Sequence, residues 1–149
     1  LKIVFIDIDG VLNNEKSLQL DYNSFCPENV RLLNEIIEKT GAKLVISSTW
    51  RLMHPDIIDI FKSEGVTGEI VGMTPDLSIQ QNGLFRSVIR GEEIQFFLDN
   101  WKGETIDNFV ILDDENDMGN LLPKLVQTDF CRGLSIFEAE KTIEILGEA

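Results

Sequence analysis

Residues 2–12 read KIVFIDIDGVL. The run Lys2–Ile6 is short and almost wholly apolar, which fits a strand buried on both faces rather than one with a wet side. It stops abruptly at Asp7-Ile8-Asp9-Gly10, two carboxylates and a glycine where the chain must leave a sheet. Two further stretches repeat the pattern. Lys43–Ser47 (KLVIS) runs into Ser47-Ser48-Thr49-Trp50-Arg51, and Asn108–Leu112 (NFVIL) runs into Asp113-Asp114-Glu115-Asn116-Asp117. Leu125–Gln127 and Glu69–Val71 read as shorter strands.

Helical periodicity fills the intervals. Pro27–Gly41 (PENVRLLNEIIEKTG) places Val30, Leu33, Ile36 and Ile37 on one face, with Pro27 in the first turn and Gly41 as the stop. Pro55 opens a second helix through Ile57, Ile58 and Phe61 to Gly65. Gly91–Trp101 and Ser135–Leu146 read as two more, and residues 76–89 read mostly as loop. Strands alternating with helices predict an α/β, Rossmann-like three-layer fold, with a mostly parallel central sheet and helices on both faces. Ligands in such sheets sit beyond the carboxyl ends of the strands.

The chain has 149 residues, 43% of them hydrophobic and 26% charged, which suits a single domain over 1–149. No apolar run approaches a membrane span, and Leu1-Lys2-Ile3 shows no signal-peptide cleavage pattern. Two distant cysteines, Cys26 and Cys131, make neither a disulfide framework nor a metal-binding spacing, so a reducing, cytoplasmic setting is expected. A net charge of −13 argues against strong non-specific binding to nucleic acid.

If the three apolar strands are neighbours, Asp7, Asp9, Asp113, Asp114, Glu115 and Asp117 converge with Ser47, Ser48 and Thr49 on one crevice. So many like charges require a counter-charge, and a hard divalent cation such as Mg²⁺ prefers oxygen ligands. Asp7, directly at a strand end, suits a nucleophile toward phosphorus, and Asp9 suits the general acid and base. Gly10 permits the sharp exit, Ser47 offers a hydroxyl to phosphoryl oxygens, and Asp113 and Asp114 complete a metal shell. The cation facing the transferring phosphoryl group is sought among Arg86, Arg90 and Lys102. Arg90, at the start of a helix, is favoured. Arg51 is a further phosphate or substrate contact, or else an ion-pair partner of a nearby acid.

These residues resemble the haloacid dehalogenase (HAD) superfamily of phosphohydrolases. IDIDGVL (residues 6–12), Ser47, Arg90 and LDDENDM (residues 112–118) stand in that family's motif order. VISSTWR, VGMTP, RGEEI and TDFCRGLS are similar to the small HAD domains found alone or in Swiss Army Knife RNA-repair proteins. The resemblance implies Asp7 as nucleophile, Asp9 as acid/base and Mg²⁺ as cofactor. The metal would be held by the Asp7 carboxylate, the Asp9 backbone carbonyl and Asp113 or Asp114, with Asp117 acting through water. The hydroxyl of the second motif falls on Ser47 or Thr49. Gly10, Ser48, Thr49 and Arg51 are the expected substrate contacts.

Cap domains of this superfamily are inserted after the first or second motif. Only about 17 residues separate Gly10 from Pro27 and about 40 separate Arg51 from Arg90. A capless enzyme with a small flap around Leu18–Phe25 is therefore expected. Such an open site suits a large phosphomonoester substrate, such as a polynucleotide end or a phosphoprotein, and would serve a small nucleotide if a partner supplied the lid. Tyr22, Phe25 and Trp50 would either stack on a base or pack the flap. His54 reads as structural or surface, and Met53, Met73 and Met118 as packing. ILDDEND also resembles the first strand of receiver domains, but there the acid pair comes early in the chain and nothing corresponds to Asp9. A silent scaffold would lack a motif residue, and none is missing.

Overall fold

The computed structural model describes residues 1–21, 24–81, 84–86 and 88–147. Strands β1 (Lys2–Ile6), β2 (Lys43–Ile46), β3 (Ile70–Met73), β6 (Asn108–Asp113) and β7 (Leu125–Gln127) form one sheet in the order β3-β2-β1-β6-β7. Every pairing in it is parallel. The strand β1 is central, with Ile6 opposite both Ile46 and Leu112. Asp7, Ser47 and Asp113 are therefore delivered to one level of one sheet edge. The ladder continues a step past the strands: the Asp7 amide donates to Leu112 O (3.1 Å) and the Ser47 amide to Ile6 O (2.9 Å).

Alternation along fully buried strands makes two cores. Val4, Ile6, Leu44, Ile46, Val110 and Leu112 face one side. There they meet α2 (Pro27–Thr40), α4 (Ile57–Ser63) and α6 (Ile136–Gly147) through residues such as Leu33, Phe61 and Leu146. Ile3, Phe5, Val45 and Ile111 face the other, against Ile94 and Phe97 of α5 (Arg90–Asp99) and against Met118. The result is a three-layer α/β Rossmann-like arrangement, as the alternating pattern predicts.

Four details depart from the sequence reading. A six-residue helix α1 (Glu15–Leu20) leads into the expected flap and covers its first residues, started by a reciprocal cap between Asn14 and Ser17. The remainder of that flap includes Tyr22, which lies outside the described residues. The helix expected from Pro55 is present as α4, and a short helix the sequence reading did not include, α3 (Trp50–Met53), precedes it. Residues 76–89, expected as loop, contain an antiparallel hairpin of β4 (Ile79–Gln81) and β5 (Leu84–Arg86). Met53 and Met73, expected to pack, are 66% and 42% exposed, whereas Met118 is buried.

The start of α5 is seated by a close approach. A Cβ on Gly91 would stand 2.0 Å from the Met118 carbonyl oxygen, so only glycine lets α5 lie against the loop after β6. The Gly91 amide donates to Asp117 O, and the Arg90 amide to Asp117 Oδ2. The acid at position 117 thus anchors the helix that carries Arg90.

Candidate active site

Three carboxylates meet at the carboxyl edge of the two middle strands. Oxygen atoms of Asp7, Asp113 and Asp114 lie within 4.8 Å of one another. Asp7 and Asp113 are buried and Asp114 is half-buried. Arg90 reaches into this group: its Nη1 donates to Asp113 Oδ2 at 2.7 Å and stands 3.2 Å from Asp7 Oδ2. The other oxygen of Asp113 accepts the Glu115 amide. Of the three cations weighed from the sequence, Arg90 is the one the described structure brings to the carboxylates. Lys102 lies exposed beyond the far end of α5, and for Arg86 only the strand position is described.

Charge is unbalanced here. Burial, then the neighbouring Asp113, push the Asp7 carboxyl well above its usual range, against the pull of Arg90. Burial and Asp113 raise Asp114 to about 6. Burial would lower Arg90, but Asp7 and Asp113 outweigh it and hold the guanidinium above its ordinary value. One guanidinium faces three carboxylates, and all the donors are hard oxygens. That set fits a divalent cation such as Mg²⁺.

The sign of the resulting pH dependence follows. A carboxyl whose folded pKa is raised stabilises the fold below its unfolded pKa, and that contribution is lost as pH rises through the folded value. For Asp114 the window lies between its ordinary 3.8 and about 6, and Asp7 acts in the same direction. A divalent cation held by Asp7, Asp113 and Asp114 would restore what the ionised carboxylates lose. The rise in melting temperature on adding Mg²⁺ is therefore expected to be larger above about pH 7 than near pH 5. Solvent screening at half-buried Asp114 keeps its share modest. A Mg²⁺ shift equal at both pH values in thermal melts would count against metal at this cluster.

Asp9 stands outside the three-carboxylate group. Its Oδ1 accepts Asn13 Nδ2 at 2.9 Å, and Trp50 Nε1 lies 3.2 Å from both of its oxygens. Gly10 has φ +80°, and a Cβ there would fall 2.5 Å from Asp114 Oδ2. Glycine therefore serves both the turn and the seat of the Asp114 carboxylate. Thr128 Oγ1 donates to the Gly10 carbonyl at 2.6 Å, fixing the turn from the β7 side.

The second strand end separates its hydroxyls. Ser47 is 1% exposed, and its Oγ is the buried side-chain polar atom without a hydrogen-bond partner among the described residues. An orphaned hydroxyl costs about 1–3 kcal/mol and asks for a missing partner. Ser48 is spent locally, its Oγ accepting the Trp50 amide. Thr49 is exposed and borders a cleft of about 210 Å³ with Arg90, Asp76, Val88 and Asp117. Arg51 is turned inward. Nε donates to Thr74 O, Nη1 to Ser48 O and Nη2 to Pro75 O, and Glu93 lies 3.2 Å away. It is the ion-pair alternative that the structure displays at Arg51, with loop carbonyls taking most of the remaining donors. Phe25 and Trp50 are buried against each other, with Phe61 and His54 flanking them, so both pack.

Sequence reasoning missed Asn13 and Trp50 as partners of Asp9. Asn13 sits three residues past Gly10, a spacing that closes a turn. Nothing in the sequence ties position 50 to position 9.

A parallel sheet in this order, with DxDG at the end of its middle strand, a buried serine beside it and an Asp pair on the other side, defines the haloacid dehalogenase class. The family model described as "HAD domain in Swiss Army Knife RNA repair proteins" matches residues 3–139, and the chain belongs to that family. No curated protein matches the chain. The superfamily is one of phosphohydrolase-type enzymes that generally use Mg²⁺. Among the described residues, no helix is long and apolar enough to cross a membrane.

Proposed function

We propose that the chain is a Mg²⁺-dependent phosphomonoester hydrolase working through an aspartyl-phosphate on Asp7. The observation that carries this reading is the placement of the Asp7 carboxylate. It stands at the end of the central strand, 3.2 Å from Arg90 and clustered with Asp113 and Asp114. Asp7 attacks phosphorus, the bond to the leaving oxygen breaks, and Asp9 supplies that oxygen with a proton. Water then attacks the phosphorus, giving its proton to Asp9 and freeing Asp7 and inorganic phosphate. Arg90 offsets charge on the phosphoryl oxygens, and Ser47 Oγ gains the partner it otherwise lacks. Asp7, the Asp9 carbonyl and Asp113 or Asp114 would hold Mg²⁺, which supplies the positive charge that lets a carboxylate approach an anionic phosphate.

The favoured substrate is a nucleotide or a nucleic-acid end. Two features support an open site: among the described residues, only α1 stands between the DxDG turn and α2, and only the β4–β5 hairpin between β3 and α5. The family's RNA-repair description supports a nucleic-acid phosphate. The charge of −13 favours recognition of an end over tight binding along a backbone. Residues 1–149 would act as one domain, in a cytoplasmic setting that suits free Cys26 and Cys131.

Phosphate release tests this directly, with Mg²⁺ and with EDTA. The panel is p-nitrophenyl phosphate, 3′- and 5′-nucleotides, 3′- and 5′-phosphorylated oligonucleotides and a phosphopeptide. Mg²⁺-dependent release with preference for oligonucleotide ends is the expected result. Preference for the phosphopeptide overturns the substrate assignment, and a stable phosphoprotein without release overturns hydrolysis.

A further inference from the structure

The surroundings of Asp9 are more elaborate than a solvated acid requires. Trp50 is only 5% exposed. Its indole is gripped between Phe25 (ring centroids 5.9 Å apart) and His54 (4.9 Å), and Phe25 is itself set against Phe61 in the core. The direction of its N–H is therefore fixed by packing, and it points between the two oxygens of Asp9, 3.2 Å from each. Asn13, fully buried, adds a second donor to Oδ1 while its own Oδ1 accepts the Gly10 amide. Asp9 Oδ1 thus faces two donors, and Oδ2 faces only a share of one.

We propose that Trp50 is a positioning residue for the acid/base step, aiming the Asp9 carboxyl so that Oδ2 exchanges the proton with the leaving oxygen. The inference rests on the reading of Asp9 given above. The chemistry of the donors carries it. An indole N–H and an amide NH₂ can only donate, so a proton carried on Oδ1 would meet two donors and no acceptor. Oδ2 is then the oxygen that can carry the proton. When the bond from phosphorus to the leaving oxygen breaks, the electron pair stays on that oxygen and the Oδ2 proton joins it. Asp9 is left as a carboxylate held by the same two donors, ready to take a proton from water in the second step. Holding an ionised carboxylate with directed N–H groups is worth more than a neutral hydrogen bond. Indole also cannot compete for the proton.

Leaving-group dependence separates this role from packing. Nitrophenolate departs without a proton, and an alkoxide does not. The constant kcat/KM covers the chemistry through departure of that group, and it would be measured on p-nitrophenyl phosphate and glycerol phosphate. Trp50→Phe keeps an aromatic ring in the stack and deletes the N–H. It is expected to lower kcat/KM for glycerol phosphate by about 10-fold or more and for the nitrophenyl ester by less than about 2-fold. Benzothienylalanine at position 50 keeps the ring size and removes only the donor, so it gives the same pattern even if Trp50→Phe folds poorly. Phe25→Leu keeps the N–H but loosens the packing that aims it, and is expected to shift the ratio of the two substrates in the same direction by less than the donor-free proteins do. Equal losses on both substrates, or an unchanged ratio in the donor-free proteins, overturn the proposal. Wild-type protein inactive on every phosphate ester tested overturns the phosphatase reading itself, and this inference with it.

Discussion

Asp7→Asn is expected to lower phosphate release by roughly 10⁴-fold or more while leaving the fold at least as stable in EDTA near neutral pH. The two halves have one cause. Asp7 is buried beside Asp113, and burial with that neighbour raises its carboxyl well above the usual range. Ionised without a metal, it opposes folding as pH rises through its folded pKa. Asparagine has the same shape and no charge, and its carbonyl oxygen can stand where Asp7 Oδ2 faces Arg90 Nη1. What it cannot do is form a bond to phosphorus and release it again. Phosphate release and melting temperature in EDTA would be read on the same sample. Turnover within about tenfold of wild type would move the nucleophile elsewhere. A collapsed melting temperature would mean that the Asp7–Arg90 ion pair dominates the local balance.

Arg90→Ala is expected to remove activity and to destabilise the metal-free protein by about 3 kcal/mol, as when one partner of a buried pair is taken away. Arg90 is 17% exposed at its side chain and is the cation within ion-pair distance of both Asp7 and Asp113 among the described residues. Alanine leaves those two carboxylates facing each other. The loss should shrink as pH falls, because burial and Asp113 hold the Asp7 carboxyl above its usual range and it takes up a proton more readily than an exposed carboxylate. Mg²⁺ should shrink it as well, by replacing the missing charge. Arg90→Lys keeps a positive charge but loses the planar fork, so an intermediate outcome is expected. Urea unfolding in EDTA and in Mg²⁺ measures all of this. A metal-free Arg90→Ala protein as stable as wild type would show that the cluster is already relieved by water.

The sheet could be read from the chain because each of its strands is an apolar run ending in polar residues. Such runs, parallel and adjacent, must end on the same edge. That is why Asp7 and the Asp113–Asp114 pair could be placed together before any coordinates. The hairpin at 79–86 could not, since strands of three residues carry no usable alternation and pair outside the main sheet. Helix α3 was hidden for the same reason of length, with four residues. The tie from Trp50 to Asp9 and that from Arg51 to Glu93 join residues distant in sequence. Only the stacking of β1 beside β2, and of α5 against them, creates those contacts. Arg51 stays open to two readings for a physical reason: next to a strand end, a guanidinium can serve a phosphate or gather loop carbonyls, and the sequence is the same in both cases.

The central position of β1 governs how the protein is made. Lys2–Ile6 leaves the ribosome long before its partner β6, since Lys2 faces Asn108 across the pairing. Parallel pairings between such distant segments are slow to form, because the intervening chain must be closed before any contact rewards it. A nascent chain holding β1 and β2 alone has Asp7 without Asp113 or Asp114. It can neither chelate a cation nor screen the exposed flank of β1. A divalent cation held by the three carboxylates would therefore reward only the completed sheet, and would hold the finished molecule together without helping to assemble it. Newly made chains would cross their most aggregation-exposed stage without the ion.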